Sequence, residues 1–244
     1  MGRSLPAMLA LFALVSPLAA HEFWIVPSTF EPAEGELLRI GLEVGDLARG
    51  DAVPRDSARI VRFALLGPGG ERPVVGLDGR LPAGAARVGS PGLWAIGYES
   101  RPAFVELAAD PFEAYLREKG LERVIALRAE RGESGAAGRE LFSRCAKSLV
   151  RAGGSAAAGG RDRGIGLALE LMAERDPFGL GREGAGMESL PVSLRYRGEP
   201  LPGALVAAYD LDAPGEEAAV EVRTDGEGRA VLRLPRPGRW MIAA

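Results

Sequence analysis

One histidine occurs in this chain of 244 residues, His21, and it directly follows Pro17-Leu18-Ala19-Ala20. A cut after Ala20 gives His21 a free α-amine beside its imidazole. The amine and Nδ1 of a single residue can close a six-membered chelate ring around a divalent ion. Nickel, cobalt and copper all accept such nitrogen donors, copper most tightly. Both nitrogens must shed their protons first. Their ordinary pKa values, about 8 for the amine and about 6.5 for the imidazole, make capture stronger as pH rises. Two nitrogens are only part of a coordination sphere. Glu22 is adjacent, and Asp46, Asp51 and Asp56 are further carboxylates that could add oxygen ligands, although the sequence does not show that they converge. The competing reading is that His21 is merely the exposed first residue of a processed chain.

Other chemistry is thinly represented. Cys145 is the only cysteine, so no intramolecular disulfide can form, and it has no neighbouring histidine to activate a thiolate. It reads as a small buried apolar residue. Apart from His21 there is no histidine for a Ser/His/Asp triad, and no GxxxxGK[ST] phosphate loop occurs. Gly67-Pro68-Gly69-Gly70 reads as a turn and Glu216-Glu217 as solvated charge. Phe23, Trp24 and Trp94 read as core aromatics. Asp225-Gly226-Glu227-Gly228 reads as a hairpin turn rather than a calcium loop. The expectation is a binding protein that catalyses no reaction.

Met1–Ala20 has the three parts of a secretory signal: Arg3, the apolar run Ala7–Val15, and small residues at the end. The run is shorter than the roughly 20 apolar residues of a membrane-spanning helix. The processed chain is therefore expected in the periplasm, with no stable membrane insertion after the signal is cut. Its formal net charge of −3, one unit more negative without Arg3, gives no basic field for nucleic acid. Of the 30 basic residues only Lys119 and Lys147 are lysines, which reads as codon bias.

The elements that must position these residues are short. With 34 Gly and 18 Pro, the chain is broken into many strands and turns. Leu38, Ile40, Leu42 and Val44 alternate with polar residues as one face of a strand. Strands are also predicted over Ala58–Leu66, Arg72–Gly76 and Leu93–Ser100. The period then changes: Asp110-Pro111 reads as a helix N-cap followed by proline at the first position, and a helix or helical pair is predicted over about 111–131. Residues 139–151 fit either a helix face or a strand. Residues 153–164 read as a Gly/Ala/Ser loop, and Leu167–Met172 as a returning strand. Turn-rich Asp176–Glu188 marks a boundary between a domain over 21–186 and a second over 187–244. In the second, strands are predicted around Pro191–Gly198, Ala204–Tyr209, Val220–Thr224, Ala230–Leu234 and Trp240–Ala243. The fold class is all-β, as two sandwiches with a helical insertion in the first.

Two sets of motifs resemble known families. Gly198-Glu199-Pro200-Leu201-Pro202-Gly203-Ala204-Leu205-Val206, Thr224-Asp225-Gly226-Glu227-Gly228 and Leu234-Pro235-Arg236-Pro237-Gly238-Arg239-Trp240 resemble an Ig-like module of the carboxypeptidase-regulatory kind. His21-Glu22-Phe23-Trp24, Pro27-Ser28, and Phe30, Pro32 and Gly35 resemble the start of the DUF4198 family. So do Val53-Pro54-Arg55-Asp56, Ser100–Leu107, Phe112–Leu116 with Gly120-Leu121, Arg131–Ser134 and Ala146–Val150. Members of that family are exported bacterial proteins often described as periplasmic components of cobalt or nickel uptake. The resemblance implies two Ig-like sandwiches, and a nickel- or cobalt-binding protein that feeds a membrane metal-transport complex. On that expectation the metal (Ni, Co or Cu) is held by His21 with Glu22. The alternative is a structural or protein- or glycan-interaction module of the cell envelope. There are two departures: Cys145 stands where the family usually has tyrosine, and the sequence stops at Ala244, so the last strand of the second domain is expected to be missing.

Overall fold

A computed structural model describes residues 21–154, 160–180 and 188–244. The expected signal, part of the Gly/Ala loop and part of the 176–188 boundary lie outside these. In chain order the strands are β1 Glu22–Pro27, β2 Leu37–Asp46, β3 Arg49–Ala52, β4 Ile60–Gly67, β5 Gly70–Pro73, β6 Gly84–Arg87, β7 Gly92–Ser100 and β8 Ala103–Leu107. Two helices follow, α1 Ala109–Glu118 and α2 Glu122–Glu130. Then come β9 Gly138–Phe142, β10 Cys145–Ala152, β11 Leu169–Ala173, β12 Glu188–Tyr196, β13 Glu199–Pro200, β14 Leu205–Asp210, β15 Val220–Arg223, β16 Arg229–Leu234 and β17 Trp240–Ala243. The protein is mainly β, assembled from several small antiparallel sheets.

β2 is the spine of the first sheet: β1 and β3 pair with its later half and β6 with its start. The second sheet runs β10-β7-β4-β5. Leu38, Ile40 and Leu42 of β2 meet Phe63, Leu65, Trp94, Ile96 and Val150 in one buried cluster, where Trp94 and Ile96 have no exposed surface. The period-2 pattern that predicts β2 is this burial of one pleat face. Trp94 lies so close over Gly67 that a Cβ there would fall 2.1 Å from the indole.

A third sheet has the order β11-β12-β13, with β16 also on β12, and a fourth runs β15-β14-β17. Val192, Leu194, Val206, Ala208 and Leu232 form the second buried cluster. β11 precedes the boundary expected at 186/187, yet it is hydrogen-bonded to β12.

The predicted helical stretch is a pair broken at Gly120, whose φ of +68° suits glycine. Its start differs from expectation. Ala108 is the N-cap, with φ −58° and ψ 160° and no side-chain cap, so Asp110 lies in the first turn, where its charge favours the helix N-terminus. Phe112 and Leu116 of α1 pack on Leu107 in a third small cluster, whereas α2 buries no residue. Residues 139–151, open between helix and strand, are β9 and β10. β9 pairs with β8, and Gly138 lets the Phe112 ring lie directly on the ribbon, since a Cβ there would sit 2.1 Å from it. Among the described residues, no helix is long and apolar enough to cross a membrane.

Candidate metal centre at the start of the first strand

β1 pairs with β2 from Glu22↔Gly45 onward, so His21 stands one step beyond, opposite Asp46. Its Nε2 lies 3.2 Å from Asp46 Oδ2, with the two side chains 27% and 54% exposed. An imidazole that donates Nε2–H to a carboxylate keeps its lone pair on Nδ1. Nδ1 is the nitrogen that shares a chelate ring with the α-amine of an N-terminal histidine.

Asp46 is placed by a two-residue hairpin. It pairs with Arg49, and the turn residues Leu47 and Ala48 have φ of 54° and 61°. This left-handed pair is the geometry that usually selects Asn-Gly, so Leu47 and Ala48 hold it under strain. Glycines make the hairpin close: a Cβ on Gly45 would fall 2.0 Å from the Arg49 carbonyl, and one on Gly50 would fall 2.4 Å from Trp24. Arg49 Nη2 donates to the carbonyl of Pro214 at 2.9 Å, tying the hairpin to the loop after β14.

Adjacent residues of a strand point to opposite faces. Glu22 accordingly turns away from the imidazole and accepts from Lys119 Nζ at 2.5 Å, its side chain only 7% exposed. Lys119 also contacts Glu118 at 2.9 Å. Burial works against the Lys119 ammonium, but the hydrogen bonds with Glu118 and Glu22 outweigh it and lift its pKa above the ordinary lysine value. Tyr209 of β14 lies in the same field, its hydroxyl pushed up by burial and by Glu22. Beyond Lys119, the Gly120 turn presses on Leu205, where a Cβ would meet Leu205 Cβ at 2.8 Å. Arg223 of β15 donates to the Gly120 carbonyl at 3.3 Å and to Glu122 at 2.6 Å. The helical pair thus bridges β1 to the sheet of β14 and β15.

Of the carboxylates offered by the sequence, the structure brings Asp46 to His21 and engages Glu22 with Lys119. Asp51 is exposed on β3 opposite Val44, and Asp56 pairs with Arg59 at 3.1 Å. Among the described residues, no three of His, Cys, Asp and Glu group so as to hold a metal ion. The His21 imidazole thus stands at the start of β1 with Asp46 at its Nε2. Cys145 stands apart on β10, half-buried, its thiol pushed up by burial, so it is poorly disposed to form a thiolate. Phe23 packs on Tyr98 at 4.8 Å against the first cluster.

Lys119, read from the sequence as codon bias, has a structural partner in Glu22. The signal available was its rarity: in an arginine-rich chain, both lysines are paired with largely buried carboxylates.

No curated protein matches the chain. Among solved structures, a DUF4785 family protein from Legionella pneumophila is similar over 86% of this chain and 45% of its own length, at 11% identity and a TM-score of 0.27. The chain thus spans less than half of that protein, and the likeness is too loose to carry a statement about this one. The profile of DUF4198, a domain of unknown function, matches residues 18–244. With the match running from the end of the expected signal to the last residue, the chain belongs to the DUF4198 family.

Proposed function

We propose that this protein is an exported, periplasmic binder of a divalent transition metal, nickel or cobalt by family resemblance, that passes the ion to a membrane transporter. The metal is cargo, chelated by the α-amine and Nδ1 of His21 once the signal is removed, with the other positions left to water or to donors of the receiving protein. The observation that carries this reading is the 3.2 Å approach of Asp46 to Nε2, because it leaves Nδ1 for the ion. Glu22 has the role of anchoring the strand through Lys119 in this proposal, rather than that of a ligand. The finer architecture proposed is two Ig-like sandwiches. Two separate buried clusters, each drawing on two sheets, support it.

Isothermal titration of the chain beginning at His21, with nickel, cobalt and copper in turn, tests the proposal. One site is expected, lost when one extra residue precedes His21. Equal binding by the extended chain overturns the chelate.

The second reading is an interaction module. It is favoured by Phe104 and Leu141, which face each other across β8 and β9 and are 62% and 75% exposed. A chain that binds none of the three metals leaves this reading standing.

A further inference from the structure

Lys147, the second lysine, lies on β10 with its side chain 8% exposed. Its Nζ is 3.0 Å from both carboxylate oxygens of Asp162, whose side chain is 2% exposed. Glu170 of β11, 7% exposed, places Oε1 3.4 Å from the same nitrogen. All three groups are fixed by their surroundings. Asp162 Oδ2 accepts from the Ala173 amide at 2.9 Å, and Glu170 accepts from Ile165 N at 2.6 Å and Gly166 N at 3.0 Å. The segment carrying them is seated in turn, because Ile165 fills the space above Gly97, where a Cβ would meet it at 2.5 Å.

Two properties separate this cluster from an ordinary surface ion pair. Burying ionised groups costs several kcal/mol per ion, and condensing an ammonium with a carboxylate removes two such charges together. The carboxyl carbon of Asp162, lying between two oxygens in contact with Nζ, is within van der Waals reach of the amine. Well-oriented groups fixed at such separations react with effective molarities of about 10⁵–10⁸ M, which lowers the barrier to condensation, while removal of the two buried charges favours the product. Glu170 supplies a base in contact with the nucleophile. Arginine fills nearly every other basic position, but its guanidinium is not a nucleophile at ordinary pH, so lysine is the residue this chemistry requires.

We infer that Lys147 and Asp162 condense into an intramolecular amide, with Glu170 carrying the proton. Glu170 takes one proton from the Lys147 ammonium, and the neutral amine attacks Cγ of Asp162. An N–C bond forms, one C–O bond breaks, and two of the three ammonium protons leave with that oxygen as water. The third stays on the amide nitrogen, and no electron is transferred. Glu170 ends as a carboxylate held by its two main-chain donors, in the field of Arg62. The crosslink would tie the second sheet to the chain entering β11, and it does not depend on the metal reading.

The test is the intact mass of the folded chain beginning at His21, followed by tryptic mapping. The expected mass is one water below that of the sequence. Trypsin should yield a branched peptide joining Cys145–Arg151 to the peptide that begins at Asp162, with no cleavage after Lys147. Lys147→Arg and Glu170→Gln should each have full mass. Full mass in the unaltered chain after prolonged folded incubation, with ordinary cleavage after Lys147, overturns the proposal. So does a water loss that maps to Asp78-Gly79 or Asp225-Gly226, where a succinimide would form. A Glu170→Gln chain that still condenses at the same rate overturns the role of Glu170.

Discussion

Asp46 meets the imidazole of His21 from the side opposite Nδ1, with Nε2 to Oδ2 at 3.2 Å, one step beyond the first paired rung of β1 and β2. In the proposed site the carboxylate orients the ring and makes it a better donor while leaving Nδ1 for the ion. Asp46→Ala is therefore expected to weaken metal capture by the His21-initiated chain about 10- to 100-fold. Titration calorimetry measures this, and unchanged affinity removes Asp46 from the site.

Glu22 acts on the fold. Glu22→Gln leaves Lys119 with Glu118 and replaces an ion pair with a hydrogen bond from the ammonium to a neutral amide oxygen. A loss of about 1–3 kcal/mol in urea unfolding is expected, with metal affinity changed far less than by Asp46→Ala. The opposite ranking of the two variants would assign Glu22 to the ion.

The strain in the β2–β3 turn is removable. Leu47 and Ala48 both occupy the left-handed region, at roughly 1–2 kcal/mol per residue for ordinary L side chains. Leu47→Asn with Ala48→Gly supplies the pair this turn prefers. The double variant is expected to raise stability by about 1–2 kcal/mol in chemical denaturation, reduced somewhat by the freedom glycine gains in the unfolded chain.

Gly50→Ala should do the reverse. Its Cβ would fall 2.4 Å from Trp24, which is 6% exposed, so ring and hairpin must part. About 1–3 kcal/mol of destabilisation is expected, read by unfolding and by a changed tryptophan emission.

Acid should loosen the end of the last sheet. The main-chain N–H of Arg239 at 2.8 Å and its side chain at 2.5 Å hold Asp212 below the usual carboxylate range. A folded-state pKa below the unfolded one stabilises above the ordinary value of about 3.9 and is lost as pH falls through the folded value. As pH falls below the ordinary carboxylate value, Trp240 fluorescence should report a transition that Asp212→Asn lacks.

What could be read in the sequence followed burial, on one pleat face in β2 and on both in β7 and β14. β2, β7 and β14 each carry buried apolar residues in runs that stand out between turns. β1 gives no alternation, because Phe23 and Ile25 enter the first cluster while Trp24, on the other face, is buried against Gly50. β3 is exposed along its whole length and leaves no apolar signal. For the candidate site, His21 was legible as the one histidine of the chain, directly after the expected signal. Choosing Asp46 over Asp51 and Asp56 required the β1–β2 register, and engaging Glu22 required a partner 97 positions away. Neither is encoded in local spacing. The Asp110 cap failed because α1 begins at Ala109, two residues before the expected first position at Pro111, with Ala108 as a cap that makes no side-chain bond.

The bridge from Glu22 through Lys119 to Gly120 makes the length of α1 a gauge. Lys119 is the residue at which that helix ends, and its azimuth is set by the number of residues before it. One residue inserted into α1 would turn Lys119 by about 100° about the helix axis, off Glu22, while the Gly120 turn lost its seat on Leu205. Substitutions along the exposed side of α1 are therefore tolerable where a single insertion or deletion is not.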